Sequence, residues 1–491
     1  MVGLEWQEVG RRGTRGALQL AVRGLLLRIL TFLGTLVLAR ILAPSDFGVF
    51  AIVSFVVSVW AMLGDLGLGA ALVQQQEEPT ARQLATAWTA QQAIALAAMA
   101  AIWLTAPALA ALVPGLPGDA PWMLRVLSIG LLLSSLRTLP TVMLERELRF
   151  GPLAAAEIAQ QVAYYAVAIG LAVAGCGAWS FVLAGVAQLG TGALVVNLIW
   201  RRMPSLALDR ECLGRLIAFG FDFQLSVILA ALRDSPLPAM AGLVLGTASA
   251  GMLQFASRIG LTVASIDEIV ARIVFPALSR LQGRADDQAR ALNAATMLTA
   301  LFMVPFQCLL AALAPLLVPL VFGDRWQPAV LPLQLICLGT LFRFPARYLR
   351  QTVFAEGDSR RGLIIAAACL LLAAIPVVPG LLIGGLPGIS LGFLIGALLG
   401  LVATAWLARR YVRLDWRPFG RLVGVGLVAG GLALASAQGL ADGLPTGIWG
   451  DVSALGLGTL IFFTVFGGLA WVADAALLRR GVSVARRALS K

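Results

Sequence analysis

The chain contains no histidine, and its only lysine is Lys491. Without imidazole there is no Ser-His triad, no histidine-ligated zinc and no imidazole proton relay. Cysteine is scarce too. Cys176, Cys212, Cys308, Cys337 and Cys369 are widely scattered, form no C-x-x-C pair and read as small apolar packing residues rather than disulfides or metal ligands. The largest deficit is charge. Only 13% of the 491 residues are charged and 59% are hydrophobic, with a mean hydropathy of +0.89; soluble domains carry about a quarter charged residues. No single core hides that much apolar surface from water, so a soluble globular protein is excluded and the chain belongs to the membrane class.

What charge there is sums to +12, nearly all of its cations being arginines that fall in short clusters between apolar runs. A basic groove for nucleic acid is a continuous patch; clusters between apolar runs orient a protein in a bilayer. Taking about 20 apolar residues per crossing, the sequence reads as an all-α polytopic membrane protein with fourteen transmembrane helices. They fall near 16–40, 47–72, 83–112, 121–145, 153–175, 179–200, 214–235, 248–275, 290–322, 329–355, 362–383, 387–408, 420–438 and 452–476. Pro, Gly and Asp mark the breaks between them. Alternate loops carry the arginines, among them Arg82, Arg146, Arg149, Arg280, Arg284, Arg360, Arg361, Arg409 and Arg410. By the positive-inside rule both termini are cytoplasmic, which an even number of spans satisfies. The first apolar run is too long for a cleavable signal and contains Arg23 and Arg28.

A weak internal repeat runs through this pattern. Leu42-Ala43-Pro44-Ser45-Asp46-Phe47-Gly48 is echoed by Leu245-Gly246-Thr247-Ala248-Ser249-Ala250-Gly251, and Leu127-Ser128-Ile129-Gly130 by Ile336-Cys337-Leu338-Gly339. Two six-helix halves of the same polarity would relate to each other about an axis along the membrane normal. The expected organisation is an N-terminal lobe over 1–205, a second lobe over 206–411, and two further helices with a basic tail over 412–491.

Ionisable side chains at membrane depth are costly unless they meet a partner or water, so they are the candidates for function. Arg343, Arg347 and Arg350 fall at i, i+4 and i+7, one face of a helix. Arg23, Arg28, Arg137 and Arg258 add to them. Guanidinium forks onto phosphate in a bidentate manner, so the set reads as a phosphate-collecting cavity; Arg23 and Arg350 could instead snorkel to the interface. Glu157, Asp222, Asp65 and Asp267 are candidates for coupling a monovalent cation or proton, or for ion pairs with these arginines. No cofactor or metal site is expected. Gly388, Gly392, Gly396 and Gly400 form a small-residue stripe suited to close helix packing. Gly64-Asp65-Leu66-Gly67-Leu68-Gly69 lacks the lysine of a phosphate-binding loop and reads as a hinge.

Several segments resemble the Wzx-like lipid-linked oligosaccharide flippases of the multidrug/oligosaccharidyl-lipid/polysaccharide exporter superfamily. They are Leu38-Ala39-Arg40-Ile41-Leu42-Ala43-Pro44-Ser45-Asp46-Phe47-Gly48, Asp65-Leu66-Gly67-Leu68-Gly69-Ala70-Ala71-Leu72-Val73-Gln74, Phe275-Pro276-Ala277-Leu278-Ser279-Arg280-Leu281-Gln282 and Gly323-Asp324-Arg325-Trp326-Gln327-Pro328-Ala329. In order and spacing they cover nearly the whole chain. The resemblance implies two six-helix bundles around a central cationic cavity, two additional helices, and a non-enzymatic function. It implies translocation of an undecaprenyl-pyrophosphate-linked oligosaccharide across the bacterial cytoplasmic membrane, by alternating access, for O-antigen, capsule or exopolysaccharide assembly. A polysaccharide polymerase and chain-length machinery would be the partners. The matched motifs are structural, so the arginine assignments rest on the residues alone. Two alternatives share the fold: a multidrug/cation antiporter, whose cationic substrates would call for carboxylates, and a peptidoglycan-precursor flippase. A glycosyltransferase or polymerase would need a large external loop that the sequence lacks.

Overall fold

A computed structural model of the chain describes residues 24, 26–65, 79–147, 149–201, 205–214, 237–264, 266–412, 414–443 and 448–489. The described residues are helical with no strand. In chain order the helices are α1 (residues 26–41), α2 (Pro44–Asp65), α3 (Ala81–Ala111), α4 (Ala120–Arg146), α5 (Phe150–Val173), α6 (Trp179–Trp200), α7 (Leu237–Leu245), α8 (Thr247–Ala264), α9 (Ile266–Arg280), α10 (Ala285–Phe322), α11 (Val330–Ala355), α12 (Ser359–Ala408), α13 (Trp416–Gly443) and α14 (Ile448–Leu489). A 3₁₀ turn, Asp324–Ala329, precedes α11. Ten helical segments among the described residues are long and apolar enough to cross a bilayer.

The expected spans meet these helices unevenly. The run at 179–200 coincides with α6, and those at 83–112, 121–145 and 153–175 shift by a few residues into α3, α4 and α5. The run at 248–275 is two helices, α8 and α9, with Asp267 near the start of the second. Spans 362–383 and 387–408 are the two arms of α12, which turns at Gly385 with φ 57° and ψ −137°. Of the run at 16–40 the described part lies in α1, and the run at 214–235 lies outside the described residues.

Local chemistry explains several boundaries. Thr80 and Gln83 form a capping box at the start of α3: Gln83 N donates to Thr80 Oγ1 at 3.2 Å and Thr80 N to Gln83 Oε1 at 2.8 Å. Between α5 and α6, Gly175 and Gly177 adopt φ of 79° and 54°, left-handed geometry that glycine takes without Cβ strain. Trp179 Nε1 then donates to Asp119 Oδ2 at 2.5 Å, tying the start of α6 to that of α4.

The chain divides into two compact units, Met1–Gly251 and Met252–Lys491. In the first, α2, α3, α4 and α6 bury Val53, Ile102, Leu124 and Val182 against one another. The repeat segments meet here. A Cβ on Gly48 would stand 1.7 Å from the Thr247 carbonyl oxygen, and one on Gly251 would stand 1.8 Å from that of Pro44. Gly48 and Gly251 are equivalent under the repeat, as are Pro44 and Thr247, so the crossing of α2 with the start of α8 is reciprocal.

In the second unit, α10, α11, α13 and α14 pack around Val304, Phe344, Tyr348, Ala433 and Phe462. Gly426 and Gly430 let α13 approach Cys308 of α10. Trp326 of the 3₁₀ turn is fully buried and stacks on Phe255, ring centroids 4.3 Å apart. The two arms of α12 form an antiparallel hairpin whose backbones touch: a Cβ on Gly388 would lie 2.0 Å from the Gly380 carbonyl, and one on Gly392 would lie 2.6 Å from that of Pro376. The hairpin is fastened at its open end. Tyr411 Oη donates to Asp358 Oδ2 at 2.5 Å, and Arg361 donates to Tyr411 Oη at 2.7 Å. Burial, with the Asp358 carboxylate beside it, pushes the Tyr411 phenol above its ordinary pKa.

Replacing Gly388 by Leu must part the α12 arms, which have no space to yield. We expect a loss of about 3 kcal/mol, read as a lower thermal midpoint and less monodisperse protein in detergent. Gly384→Ala is the control: its Cβ would meet nothing within 4 Å, and its midpoint should stay with that of the parent.

Candidate functional site

Helix α11 carries the arginine stripe. Leu341, Phe344, Tyr348 and Leu349 are buried in the core of the second unit, whereas Arg343, Arg347 and Arg350 are half-buried along the other face. The three like charges have separate surroundings. Arg347 Nε lies 3.4 Å from Asp267 Oδ2 of α9, where the carboxylate is buried. The Arg343 guanidinium lies 5.5 Å from the centroid of the Phe393 ring on α12, a cation–π placement. Repulsion along the stripe is thus relieved by a counter-charge and a π face.

Neutral polar groups hold the helices that carry these arginines. Gln307 of α10 is fully buried and donates to Gly260 O of α8 and to Thr340 Oγ1 of α11, each at 2.9 Å. That amide pins α8 two residues beyond Arg258, which is itself half-buried. Thr299 and Tyr348 share a hydrogen bond of 2.9 Å that joins α10 to α11 beside Arg347.

The first unit holds a second polar region. Arg137 of α4 is half-buried and donates to Gln160 Oε1 of α5 at 2.8 Å. Arg28 of α1 and Glu157 of α5 are also half-buried. The two helices run in parallel register, since Thr31 meets Gln161 and Tyr165 while Thr35 meets Tyr165. One turn back from these contacts, Arg28 and Glu157 sit at the same level.

The structure therefore brings Arg347 together with Asp267 in one unit, and sets Arg28, Glu157 and Arg137 on neighbouring helices in the other. Arg23 and Asp222 lie outside the described residues, and Asp65 is the last residue of α2. Among the described residues no group of three or more Cys, Asp or Glu could hold a metal ion. Sequence reasoning overlooked the uncharged members Thr31, Gln160, Gln161, Gln188 and Gln307. Each was visible as a polar residue inside an apolar run, but weighing only ionisable groups passed over them.

Long apolar helices bearing guanidinium and amide groups at membrane depth define a multi-pass helical membrane protein. The same fold occurs in the lipid II flippase MurJ in its inward closed conformation, at a TM-score of 0.74 and 14% identity over 92% of this chain and 98% of that one. It also occurs in an inward-facing multidrug resistance MATE family transporter of the MOP superfamily, at a TM-score of 0.56 and 18% identity over 78% and 94% of the two chains. Residues 37–331 match the polysaccharide biosynthesis protein family, and the chain belongs to that family. Curated relatives include the succinoglycan biosynthesis transport protein ExoT of Rhizobium meliloti (strain 1021), 28% identical over 68% of this chain and 64% of that protein. The teichuronic acid biosynthesis protein TuaB of Bacillus subtilis (strain 168) is 21% identical over 76% and 79% of the two. The lipopolysaccharide biosynthesis protein WzxC of Escherichia coli (strain K12) is 22% identical over 62% of each. The chain thus spans just under two thirds of the lengths of ExoT and WzxC.

Removing one member of the Arg347–Asp267 pair leaves the other without its counter-charge. Because Arg347 is partly exposed, Asp267→Ala should cost about 1–3 kcal/mol rather than the full penalty of a buried pair. The double variant Asp267→Leu with Arg347→Met should regain most of that loss, which a thermal-unfolding double-mutant cycle measures directly.

Proposed function

We propose that this chain is a flippase that carries a polyprenyl-diphosphate-linked oligosaccharide repeat unit across the bacterial cytoplasmic membrane for surface polysaccharide assembly. The observation that carries the reading is the guanidinium stripe of Arg343, Arg347 and Arg350, half-buried on a helix of membrane-spanning length. Carrying a diphosphate through hydrocarbon is prohibitive without compensation. A hydrated, arginine-lined vestibule replaces its water shell with charge-assisted hydrogen bonds. In this reading Arg258, Arg343 and Arg350 of the second unit meet the headgroup while Asp267 holds Arg347 in place, and within the first unit Arg28 and Arg137 are separate candidates for the same role. Arg23 belongs to the same proposed set. Family membership and the names of the relatives support a polysaccharide precursor as the cargo; the fold supports alternating access.

The lipid tail stays in the bilayer while the sugar and diphosphate pass through the protein, so no bond is made or broken and no catalytic residue is assigned. Both termini are placed in the cytoplasm by the arginine bias. Glu157, Asp222, Asp65 and Asp267 are the carboxylates proposed for coupling a proton or monovalent cation or for ion pairs with the arginines. A polymerase and chain-length machinery would receive the product on the far side.

The test is a leaflet-resolved assay of labelled undecaprenyl-diphosphate-linked oligosaccharide in proteoliposomes, with and without imposed ion gradients. Parent protein should move the label between leaflets. Arg343→Gln combined with Arg258→Gln should slow transfer at least about tenfold at unchanged protein levels, as expected for loss of about 1.4 kcal/mol or more of phosphate binding. Full transfer by that variant would remove these side chains from the site. Movement of lipophilic cations in place of the glycolipid would favour a multidrug antiporter.

A further inference from the structure

We propose that the first unit carries a sugar-recognition face, formed by Thr31, Gln160, Gln161 and Gln188, that reads the glycan while nearby arginines hold the diphosphate. This deepens the flippase reading and rests on it.

Thr31, Gln161 and Gln188 form one connected seam over three helices, and Gln160 adjoins it in sequence on α5. Gln161 Nε2 of α5 donates to Thr31 Oγ1 of α1 at 3.0 Å, and Gln188 Nε2 of α6 donates to Gln161 Oε1 at 3.3 Å. Tyr165 anchors the α1 side by donating to the Thr31 carbonyl at 3.1 Å, its ring lying flat against Gly34, where any Cβ would overlap it. Gln160 accepts from Arg137, which brings the phosphate-binding type of side chain to the residue preceding Gln161 on α5.

Position argues for a ligand. Gln161 and Gln188 lie near the middle of their helices, where the surroundings are acyl chains, other helices or a water-filled passage. Thr31, Gln161 and Gln188 are each only partly buried. Partly exposed amides at that depth face water rather than lipid, since hydrocarbon offers them no hydrogen bonds. A seam serving only to glue helices would be closed on itself. In this one Thr31, Gln161 and Gln188 each keep part of their surface exposed, and at the adjacent position of α5 Gln160 is 94% buried with an Nε2 that has no hydrogen-bond partner among the described residues. Its amide packs into the space that the missing side chain of Gly192 leaves on α6, one turn beyond Gln188, where a Cβ would stand 2.5 Å from Nε2.

Chemistry selects the ligand class. Amides and hydroxyls both donate and accept, as a polyhydroxylated, uncharged molecule requires. An anion would call for donors alone, and an apolar tail for neither. The sugar portion of a lipid-linked saccharide fits the seam, and the diphosphate fits Arg137 beside it. A site built to hydrogen-bond hydroxyls also discriminates strongly against ligands that lack them.

The experiment measures binding of full-length protein in proteoliposomes to undecaprenyl diphosphate, bare or carrying glucose, galactose or N-acetylglucosamine. Parent protein should bind at least one glycosylated lipid about tenfold more tightly than the bare diphosphate. Gln161→Ala with Gln188→Ala should bring that preference within about threefold while affinity for bare undecaprenyl diphosphate and the thermal midpoint stay unchanged; a merely structural role would lower the midpoint and both affinities together. Should the double variant fail to fold, Gln188→Ala alone, which severs a single 3.3 Å bond, serves the same comparison. A preserved preference in a folded variant overturns the sugar face, as does a parent protein that binds bare and glycosylated lipids equally. A parent protein that binds none of these lipids overturns the flippase reading itself.

Discussion

Hydrocarbon gives a polar atom nothing to bond to, and that constraint orders everything else in this structure. It accounts for the all-helical backbone, which satisfies its own amides within each segment. It accounts equally for the partners that several polar side chains at depth have found among the described residues. Arg347 faces Asp267, Arg343 lies against Phe393, Arg137 donates to Gln160, and Gln307 bonds two helices at once. A surface arginine of a soluble protein would need none of these companions. Where polar groups at this depth stay partly exposed, water rather than lipid is the consistent neighbour.

With apolar tails on the outside there is little hydrophobic force to press helices together, so close packing must come from shape. Glycine supplies it here at two kinds of place. In the α12 hairpin, Gly380, Gly388 and Gly392 let two arms of one helix run backbone against backbone. At the crossing of α2 with α8, Gly48 and Gly251 do the same for two segments 203 residues apart in sequence. That second contact is symmetric: each glycine approaches the carbonyl four residues before its counterpart. Any side chain larger than hydrogen would be excluded from both positions at once.

Much of the fold was legible because hydropathy directly measures what the bilayer selects. The runs that became α3, α4, α5 and α6 end within a few residues of their expected limits, and the turn at Gly175 to Gly177 falls where glycine spacing put it. The run at 248–275 misled because apolar content alone does not reveal a helix break; Asp267 and Glu268 inside it were the available warning. The site was legible in its charges but not in its pairings. A salt bridge within one helical turn can be read from spacing, whereas Asp267 and Arg347 are 80 residues apart and meet only through the packing of α9 on α11. The amides escaped notice for a thermodynamic reason: a glutamine at depth is less costly than an arginine, and so draws less attention than its hydrogen-bonding capacity warrants.

The absence of histidine gains meaning once the arginines are placed. Guanidinium stays protonated at every physiological pH and lysine is all but missing, so the cationic groups at depth present a fixed field. Such a field suits a diphosphate, whose own charge is also retained at neutral pH. It also means that the arginines cannot themselves release cargo by losing protons. Under the proposed function, release would come from a change in geometry or from a carboxylate that competes for the same guanidinium. Asp267 already holds Arg347 in that manner, on a helix separate from the stripe, so a shift of α9 against α11 would alter how much positive charge α11 presents. A neutral seam of amides in the other unit has no such lever, so under the proposed reading it would serve selectivity rather than the force that loads or empties the site.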